Sequence, residues 1–181
     1  MTDTSNTNTS LSGKMYLYEK PELLNIDVHG SMGFAPVTSP YKFASGARVV
    51  PLTMTEFGSA MRSYPIIFSN LETPTPLAVV GLLDNDNLFV NEEGHWDLLS
   101  YIPTYLRCHP FTLAQEAGGQ LAIVVDRNAA SISEEPVHPF FSNGEPSELT
   151  QKLMDLCAEY ERERRRTVEF CKKLVDLGLL A

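Results

Sequence analysis

The sequence contains four histidines that could act as metal ligands or as acid–base groups: His29, His95, His109 and His138. A metal site built on a local motif places a second ligand a few residues from the first, because both must meet on one ion. None of the four belongs to an HxxxH or HExxH pattern, and the chain has no GxSxG, Walker or GxGxxG motif. We therefore expect no metal site, no cofactor and no assigned catalytic residue.

The densest group of aromatic residues lies between residues 89 and 111, and it contains the candidate binding residues Trp96, Tyr101, Tyr105 and Arg107. Trp, Tyr and Arg are over-represented where binding energy concentrates, which favours a groove for a peptide or an apolar ligand. The alternative is a core between a helix and a sheet, with tyrosine hydroxyls hydrogen-bonded at its edge. On a regular helix Arg107 lies about 160° from Tyr105, so it either faces away or follows the end of the helix.

A run of charged residues, Glu161-Arg-Glu-Arg-Arg-Arg166, stands within a predicted helix. One interpretation is an anion site or an arm for an acidic partner. The other is a solvated helix face, because Glu and Arg recur three or four residues apart and can pair. We favour the solvated face.

The three cysteines, Cys108, Cys157 and Cys171, form no CxxC pair. If Cys157 and Cys171 share one straight helix, they lie about 21 Å apart. A disulfide needs Cα atoms within about 7 Å, so this pair cannot form one. We expect free thiols and a reducing, cytoplasmic location.

Composition restricts the class of protein before any motif is considered. The chain has 181 residues, a net charge of −9, 43% hydrophobic and 20% charged residues, which is typical of one soluble globular domain. The acidic balance argues against nucleic-acid binding, and no apolar run is long enough for membrane insertion. Residues 147–181 contain 7 of the 14 Lys and Arg residues. Nothing in the pattern indicates a particular oligomeric state.

The elements predicted from local patterns give an α+β fold. Residues 1–14 are polar, with no apolar segment of a secretory signal, and are predicted to be a disordered N-terminal tail; residues 15–181 form a single domain. Thr53 and Glu56 form a capping box that opens a short helix, and Ser147 caps a long C-terminal helix. Two hairpins are predicted, at residues 77–91 around the turn 84–87 and at residues 111–127. We expect a mostly antiparallel sheet of about five or six strands with two short helices and the long C-terminal helix.

Several residue patterns then occur in a familiar order along the chain. They are Val50-Pro-Leu-Thr-x-x-Glu56-Phe57, Tyr64-Pro65-Ile66-x-Phe68, Leu77-x-x-x-Gly81-Leu82, Asn87-Leu88-Phe89-Val90, Gly94-x-Trp96, Tyr101-Ile102-Pro103-x-Tyr105-x-Arg107-x-x-Pro110-Phe111, Phe140-Phe141-x-x-Gly144-Glu145-Pro146, Phe170-Cys171 and Leu177-Gly178-Leu179-Leu180. Over roughly residues 15–181 the chain resembles the SapC family, bacterial proteins named for an association with surface-layer (S-layer) loci.

The resemblance implies a setting rather than a reaction. The family has no assigned activity and no catalytic residues that could be transferred to this chain. Its members share a similar setting with the genes for TonB-dependent receptors and flavin-dependent tryptophan halogenases. We therefore expect a non-catalytic binding or accessory protein of the bacterial cytoplasm, linked to surface-layer, export or TonB-dependent uptake systems, with a protein or peptide as a possible partner. The alternative is an enzyme or enzyme subunit acting on a small or peptide substrate, for example an accessory to tryptophan halogenation.

Overall fold

A computed structural model describes residues 15–115 and 119–180, and the predicted tail, residues 1–14, lies outside them. Within the described residues the strands are β1 (Pro21–Leu23), β2 (Gly33–Phe34), β3 (Val49–Pro51), β4 (Ile66–Phe68), β5 (Pro76–Val79), β6 (Phe111–Gln115), β7 (Leu121–Asp126), β8 (Ile132–Ser133), β9 (His138–Pro139), β10 (Phe141–Ser142) and β11 (Glu145–Pro146). The α-helices are α1 (Ile26–His29), α2 (Phe57–Ala60), α3 (Thr104–Cys108) and α4 (Glu148–Asp176). All strand pairs among these elements are antiparallel, which confirms the α+β prediction.

The described strands form four small sheets instead of one sheet of five or six strands. Their orders are β1-β7-β6, β8-β2-β9, β3-β5-β4 and β10-β11. Prolines mark the ends of five strands: Pro21, Pro51, Pro76, Pro139 and Pro146. Because proline has no N–H to donate to a ladder, each of them limits how far its strand extends as a sheet element.

The predicted hairpin at residues 111–127 is confirmed as β6 and β7. Phe111 pairs with Val125, and both side chains are fully buried. The free edge of β7 pairs with β1, which places Leu23 opposite Val124. This sheet therefore brings the start of the described chain beside its middle.

Two hydrophobic cores lie on either side of α3. The first contains Val50, Leu52, Ala78, Val80, Trp96 and Leu106 among its buried residues. The second contains Met32, Phe34, Cys108, Phe111, Val125, Phe140, Cys157 and Tyr160. Tyr105 packs against both cores, so α3 joins them.

Helix α4 begins as predicted after Ser147, whose hydroxyl accepts a hydrogen bond from the Thr150 amide at 3.4 Å. It packs against β6, α3 and a 3₁₀ turn at Met54–Glu56. The Thr167 hydroxyl of α4 accepts a hydrogen bond from the Met54 amide at 2.9 Å. Cys157 and Cys171 both lie in α4, and all three cysteines are free and buried, as expected.

Two local predictions differ from the structure. The helix opened by the capping box is a 3₁₀ turn continued by the four residues of α2, although both capping-box hydrogen bonds are present. The hairpin predicted at residues 77–91 is wrong, because β5 pairs with β3 and β4 and no strand forms over residues 88–91. The Asn87 side chain instead turns inward, where it donates to the Ala44 carbonyl at 2.9 Å and accepts from the Phe89 amide at 2.9 Å.

Candidate functional site

Two of the four candidate binding residues, Trp96 and Tyr101, lie in and against the first core. Trp96 is 4% exposed, and its indole N–H donates to the Tyr64 hydroxyl at 3.3 Å. Tyr101 is half-buried, and its hydroxyl donates to Oε1 of Glu56 at 3.0 Å. Both polar groups are therefore engaged with other parts of the fold.

The other two candidates, Tyr105 and Arg107, lie on opposite faces of α3. The helix ends at Cys108, so Arg107 is still inside it and is separated from Tyr105 as a regular helix requires. Arg107 is exposed and donates to the Thr104 hydroxyl at 2.7 Å, whereas Tyr105 lines a cavity on the far side. The structure therefore does not bring the four residues into one groove.

The cavity beside Tyr105 has a volume of about 280 Å³ and lies between α4, the edge of β6 and the segment that precedes β1. Its defining residues are Tyr16, Tyr18, Tyr105 and Tyr160, and we call it the tyrosine cavity. Prolines at the ends of β3 and β5, together with Leu113 and Val168, complete an apolar wall. Small-molecule sites are commonly concave and apolar with a few polar groups, and this cavity fits that description.

Tyr105 is the centre of the aromatic packing in the tyrosine cavity. Its ring lies 6.3 Å from Tyr16, 6.4 Å from Tyr18 and 5.9 Å from Tyr160, measured between ring centroids. The Tyr18 hydroxyl donates to the Phe111 carbonyl at 2.7 Å, and the Tyr105 hydroxyl donates to the Tyr16 carbonyl. Burial raises the pKa of Tyr18, Tyr105 and Tyr160, so these phenols are neutral at physiological pH.

The charged run of α4 contributes Glu161 and Arg164 to the lining of the tyrosine cavity. Glu161 is 9% exposed and accepts hydrogen bonds from Nε and an Nη of Arg164, at 2.6 and 2.9 Å, and from Nε of Arg165 at 2.9 Å. Burial raises the pKa of Glu161, but the hydrogen bonds and charges of the two arginines outweigh it and leave that pKa below its ordinary value. The solvated face expected for this run is therefore wrong for Glu161 and Glu163, which are buried while the arginines stay exposed.

A second cavity, of about 710 Å³, lies on the other side of the segment before β1, and we call it the histidine cavity. His109 stacks on Phe43 with 3.7 Å between ring centroids, and its Nε2 lies 3.6 Å from a carboxylate oxygen of Asp126. Asp126 accepts hydrogen bonds from the Glu19 and Lys20 amides, both at 2.8 Å. Burial lowers the pKa of His109 to about 4, against the opposing effect of Asp126.

In serine and cysteine hydrolases a His–Asp pair activates a hydroxyl or thiol nucleophile, and such a group would have to line the histidine cavity. No Ser, Thr or Cys is found among the described residues that line it. Nε2 of His109 is buried without a hydrogen-bond partner in the described part of the chain. The pair is therefore a neutral imidazole beside a carboxylate that the backbone already satisfies.

Residues 15–115 and 119–180 contain neither a metal-binding cluster nor a membrane-spanning helix. No group of three or more His, Cys, Asp or Glu side chains in these ranges is arranged to hold a metal ion. No helix there has the length and apolar character needed to cross a membrane.

Of the residues that line the tyrosine cavity, the sequence patterns single out Tyr105 as a binding candidate but not Tyr16, Tyr18 or Arg164. Tyr160 lay on the apolar stripe of the predicted helix, and Arg164 lay in the charged run, so both carried a local signal. Tyr16 and Tyr18 reach Tyr105 across nearly 90 residues of sequence, as the bond from the Tyr105 hydroxyl to the Tyr16 carbonyl (separation 89) illustrates. Local periodicity carries no information about a contact of that separation.

Comparison with known proteins gives one match. No curated protein and no solved structure matches the chain. A model of the SapC family matches residues 24–181, which include both cavities except for the segment before β1. Since this match covers most of the sequence, the chain belongs to the SapC family.

Proposed function

We propose that this chain is a non-catalytic binding protein and that the tyrosine cavity is its binding site. The observation that carries the proposal is an apolar cavity of about 280 Å³ whose aromatic walls are held in place by hydrogen bonds to the backbone. Because the hydroxyls of Tyr18 and Tyr105 are hydrogen-bonded to carbonyl groups, the faces and edges of their rings remain available for contact with an apolar ligand. An apolar ligand gains free energy there by leaving water.

Of the four candidate residues predicted from the sequence, Tyr105 lines the proposed binding site. Its packing against both cores supports a preformed cavity, because the ring cannot move without disturbing each of them. Trp96 and Tyr101 support α3 from the first core. A preformed site avoids part of the ordering cost that a flexible one would incur on binding.

We further propose an accessory role in the bacterial cytoplasm, linked to surface-layer, export or TonB-dependent uptake systems. Membership in the SapC family supports the link to surface-layer systems through the association that the family name records. Three free cysteines are in keeping with a reducing compartment. In this role the ligand or a peptide partner would occupy the tyrosine cavity.

The proposed site can be tested with a variant that obstructs the cavity at an exposed position. Thr75 lines the tyrosine cavity and is exposed, so Thr75→Trp should fill it at little cost to folding. Thr73→Trp, in the same loop but outside the lining, is the matched control. The probe is 3-phenylpropan-1-ol, added to the full chain while amide chemical shifts are followed by NMR.

We expect shifts at Tyr105, Leu113 and Tyr160 in the parent protein and in Thr73→Trp, and a loss of at least tenfold in affinity in Thr75→Trp. Binding that survives in Thr75→Trp, or no binding to the parent protein, would refute the site. Capture of a partner from the native host by the parent protein, but not by Thr75→Trp, would then connect the cavity to the accessory role.

A second candidate, an enzyme or enzyme subunit, has one observation in its favour: His109 beside Asp126 in the histidine cavity. Its test is to incubate a metabolite extract of the native host with the parent protein and with His109→Gln, and to compare products by mass spectrometry. Products that form only with the parent protein would favour the enzyme. Identical product profiles would argue against it.

A further inference from the structure

Of the described residues that line the tyrosine cavity, only Glu161 and Arg164 carry a charge. Glu161 does not neutralise this edge by itself, because it is shared between Arg164 and Arg165. The two lining charges balance each other, but Arg165, which does not line the cavity, adds a second guanidinium to the cluster. The cluster therefore carries a surplus of one positive charge beside the mouth of the apolar cavity. Such a surplus favours an anionic group on the ligand.

Arg164 has donors to spare for that group. Two of its N–H groups are directed at Glu161, and a guanidinium carries five, so three remain. Its side chain is 49% exposed, whereas the Glu161 side chain is 11% exposed. The guanidinium is therefore accessible from the cavity mouth while its own counter-ion is held in place by Arg165 as well.

A carboxylate is the anion that this arrangement fits best. A guanidinium binds a carboxylate through two parallel N–H···O bonds, and these charge-assisted bonds are stronger than neutral ones. A multiply charged phosphate would be disfavoured, because it would bring two negative charges beside buried Glu161 where only one cation is in surplus. The tyrosines and Leu113 below the mouth would enclose the apolar body of the ligand.

We propose, resting on the binding function above, that the ligand of the tyrosine cavity is a small apolar carboxylate whose carboxyl group pairs with Arg164 and whose apolar body lies among Tyr16, Tyr105 and Tyr160. The cavity of about 280 Å³ fits one compact apolar group rather than an extended chain. A peptide that binds through its C-terminal carboxylate is the alternative ligand, and the test distinguishes it from a small molecule.

The test uses three probes that share one apolar body and differ in the head group: 3-phenylpropionate, 3-phenylpropan-1-ol and 3-phenylpropan-1-amine. Affinities are measured by NMR titration of the full chain and of three variants, two at Arg164 and one at Arg165. Arg164→Gln removes the proposed contact, and Arg165→Gln removes the same charge from a neighbour that does not line the cavity. Arg164→Lys serves as a second variant, which keeps the charge but loses the paired geometry.

We expect the acid to bind at least tenfold more tightly than the alcohol, with the amine weakest. Arg164→Gln should remove the preference of the acid over the alcohol, and Arg164→Lys should restore it in part. Arg165→Gln should lower the preference less than Arg164→Gln does, because it removes the surplus charge but keeps the paired hydrogen bonds that Arg164 can donate. High salt should weaken binding of the acid and leave binding of the alcohol unchanged.

Equal affinities for acid and alcohol would overturn the carboxylate assignment while leaving the binding site intact. An equal loss in Arg165→Gln would overturn the assignment to Arg164. A peptide ending in Phe that binds more tightly than 3-phenylpropionate, and loses affinity on amidation, would overturn the small-molecule assignment. Failure of all three probes to bind would refute the binding function itself.

Discussion

Glu56 is a buried carboxylate, 5% exposed, that accepts four hydrogen bonds from three residues in two segments of the chain. The Thr53 amide donates to one oxygen at 2.8 Å, as a capping box requires, and the Thr53 hydroxyl donates to the same oxygen at 2.9 Å. The Thr104 amide and the Tyr101 hydroxyl donate to the other at 2.7 and 3.0 Å. Glu56 therefore caps its own turn, as predicted, and also connects it to the first turn of α3.

This second connection changes the expected cost of replacing Glu56. A capping contact alone is worth about 1 kcal/mol. In Glu56→Gln an amide NH₂ must face groups that donate hydrogen bonds, so the unfolding free energy should fall by about 2–4 kcal/mol. Urea denaturation measures the change, with exposed Glu72→Gln as the control. A loss of only about 1 kcal/mol would mean that the contacts to α3 contribute nothing.

At the scale of elements, one hydroxyl links α4 to the 3₁₀ turn at Met54–Glu56. Thr167 is 2% exposed; its hydroxyl donates to the Glu163 carbonyl at 2.7 Å and accepts from the Met54 amide at 2.9 Å. This pair of bonds joins the helix that forms one wall of the tyrosine cavity to the turn that Glu56 caps.

Thr167→Val keeps the shape of this side chain but leaves the Met54 amide without an acceptor. We expect a loss of about 1–3 kcal/mol in unfolding free energy, the cost of an unsatisfied buried donor. Thr167→Ser, which retains the hydroxyl, should be closer to the parent protein. The comparison is made by thermal or denaturant unfolding, and equal stability of the Val and Ser variants would contradict the role given to this bond.

Elements that local chemistry determines were predictable, and those that distant contacts determine were not. The cap at Ser147, the spacing of apolar residues along α4 and the short strand-forming runs of β6 and β7 are all determined by neighbouring residues. The turn at residues 84–87 has good hairpin chemistry, but its preceding strand, β5, is already paired on both edges by β3 and β4. No edge of β5 remains for residues 88–91. The same limit explains why the sequence singles out Tyr105 as a candidate but does not predict its contact with Tyr16.

At the scale of the whole molecule, the basic residues are concentrated near the C-terminus of an acidic chain. The net charge is −9, yet half of the basic residues lie in the last 35 positions. Most of these positions belong to α4, which forms one wall of the tyrosine cavity. The overall field repels anions, so retention of an anionic ligand would depend on short-range contact with Arg164 more than on long-range steering. The two cores meet at α3, and both cavities adjoin the segment that precedes β1.

His109 makes the stability of the whole fold depend on pH. Its pKa is lowered by burial to about 4 in the folded protein, against an ordinary value of 6.5. Above pH 6.5 both states are neutral at this site and it has no effect. As the pH falls from 6.5 to 4, the unfolded chain takes up a proton that the folded chain does not, so the folded state loses stability. The difference between the two pKa values corresponds to a loss of about 3 kcal/mol in unfolding free energy once the pH is below both of them.

The prediction is that unfolding free energy, measured by urea denaturation at pH values between 7 and 4, falls steadily in the parent protein and less steeply in His109→Gln. His138→Gln is the control, because His138 is exposed and its removal should leave the slope unchanged. The lowered pKa values of Glu22 and Glu161 act in the same direction, but their effect begins only as the pH falls through the ordinary carboxyl value of 4.5, where the unfolded chain takes up the proton first. The upper part of the range, from pH 6.5 to 5, therefore isolates the imidazole. Parallel slopes for the parent protein and His109→Gln in that range would mean that the folded protein protonates His109 as readily as the unfolded chain does, with water or Asp126 compensating for its burial.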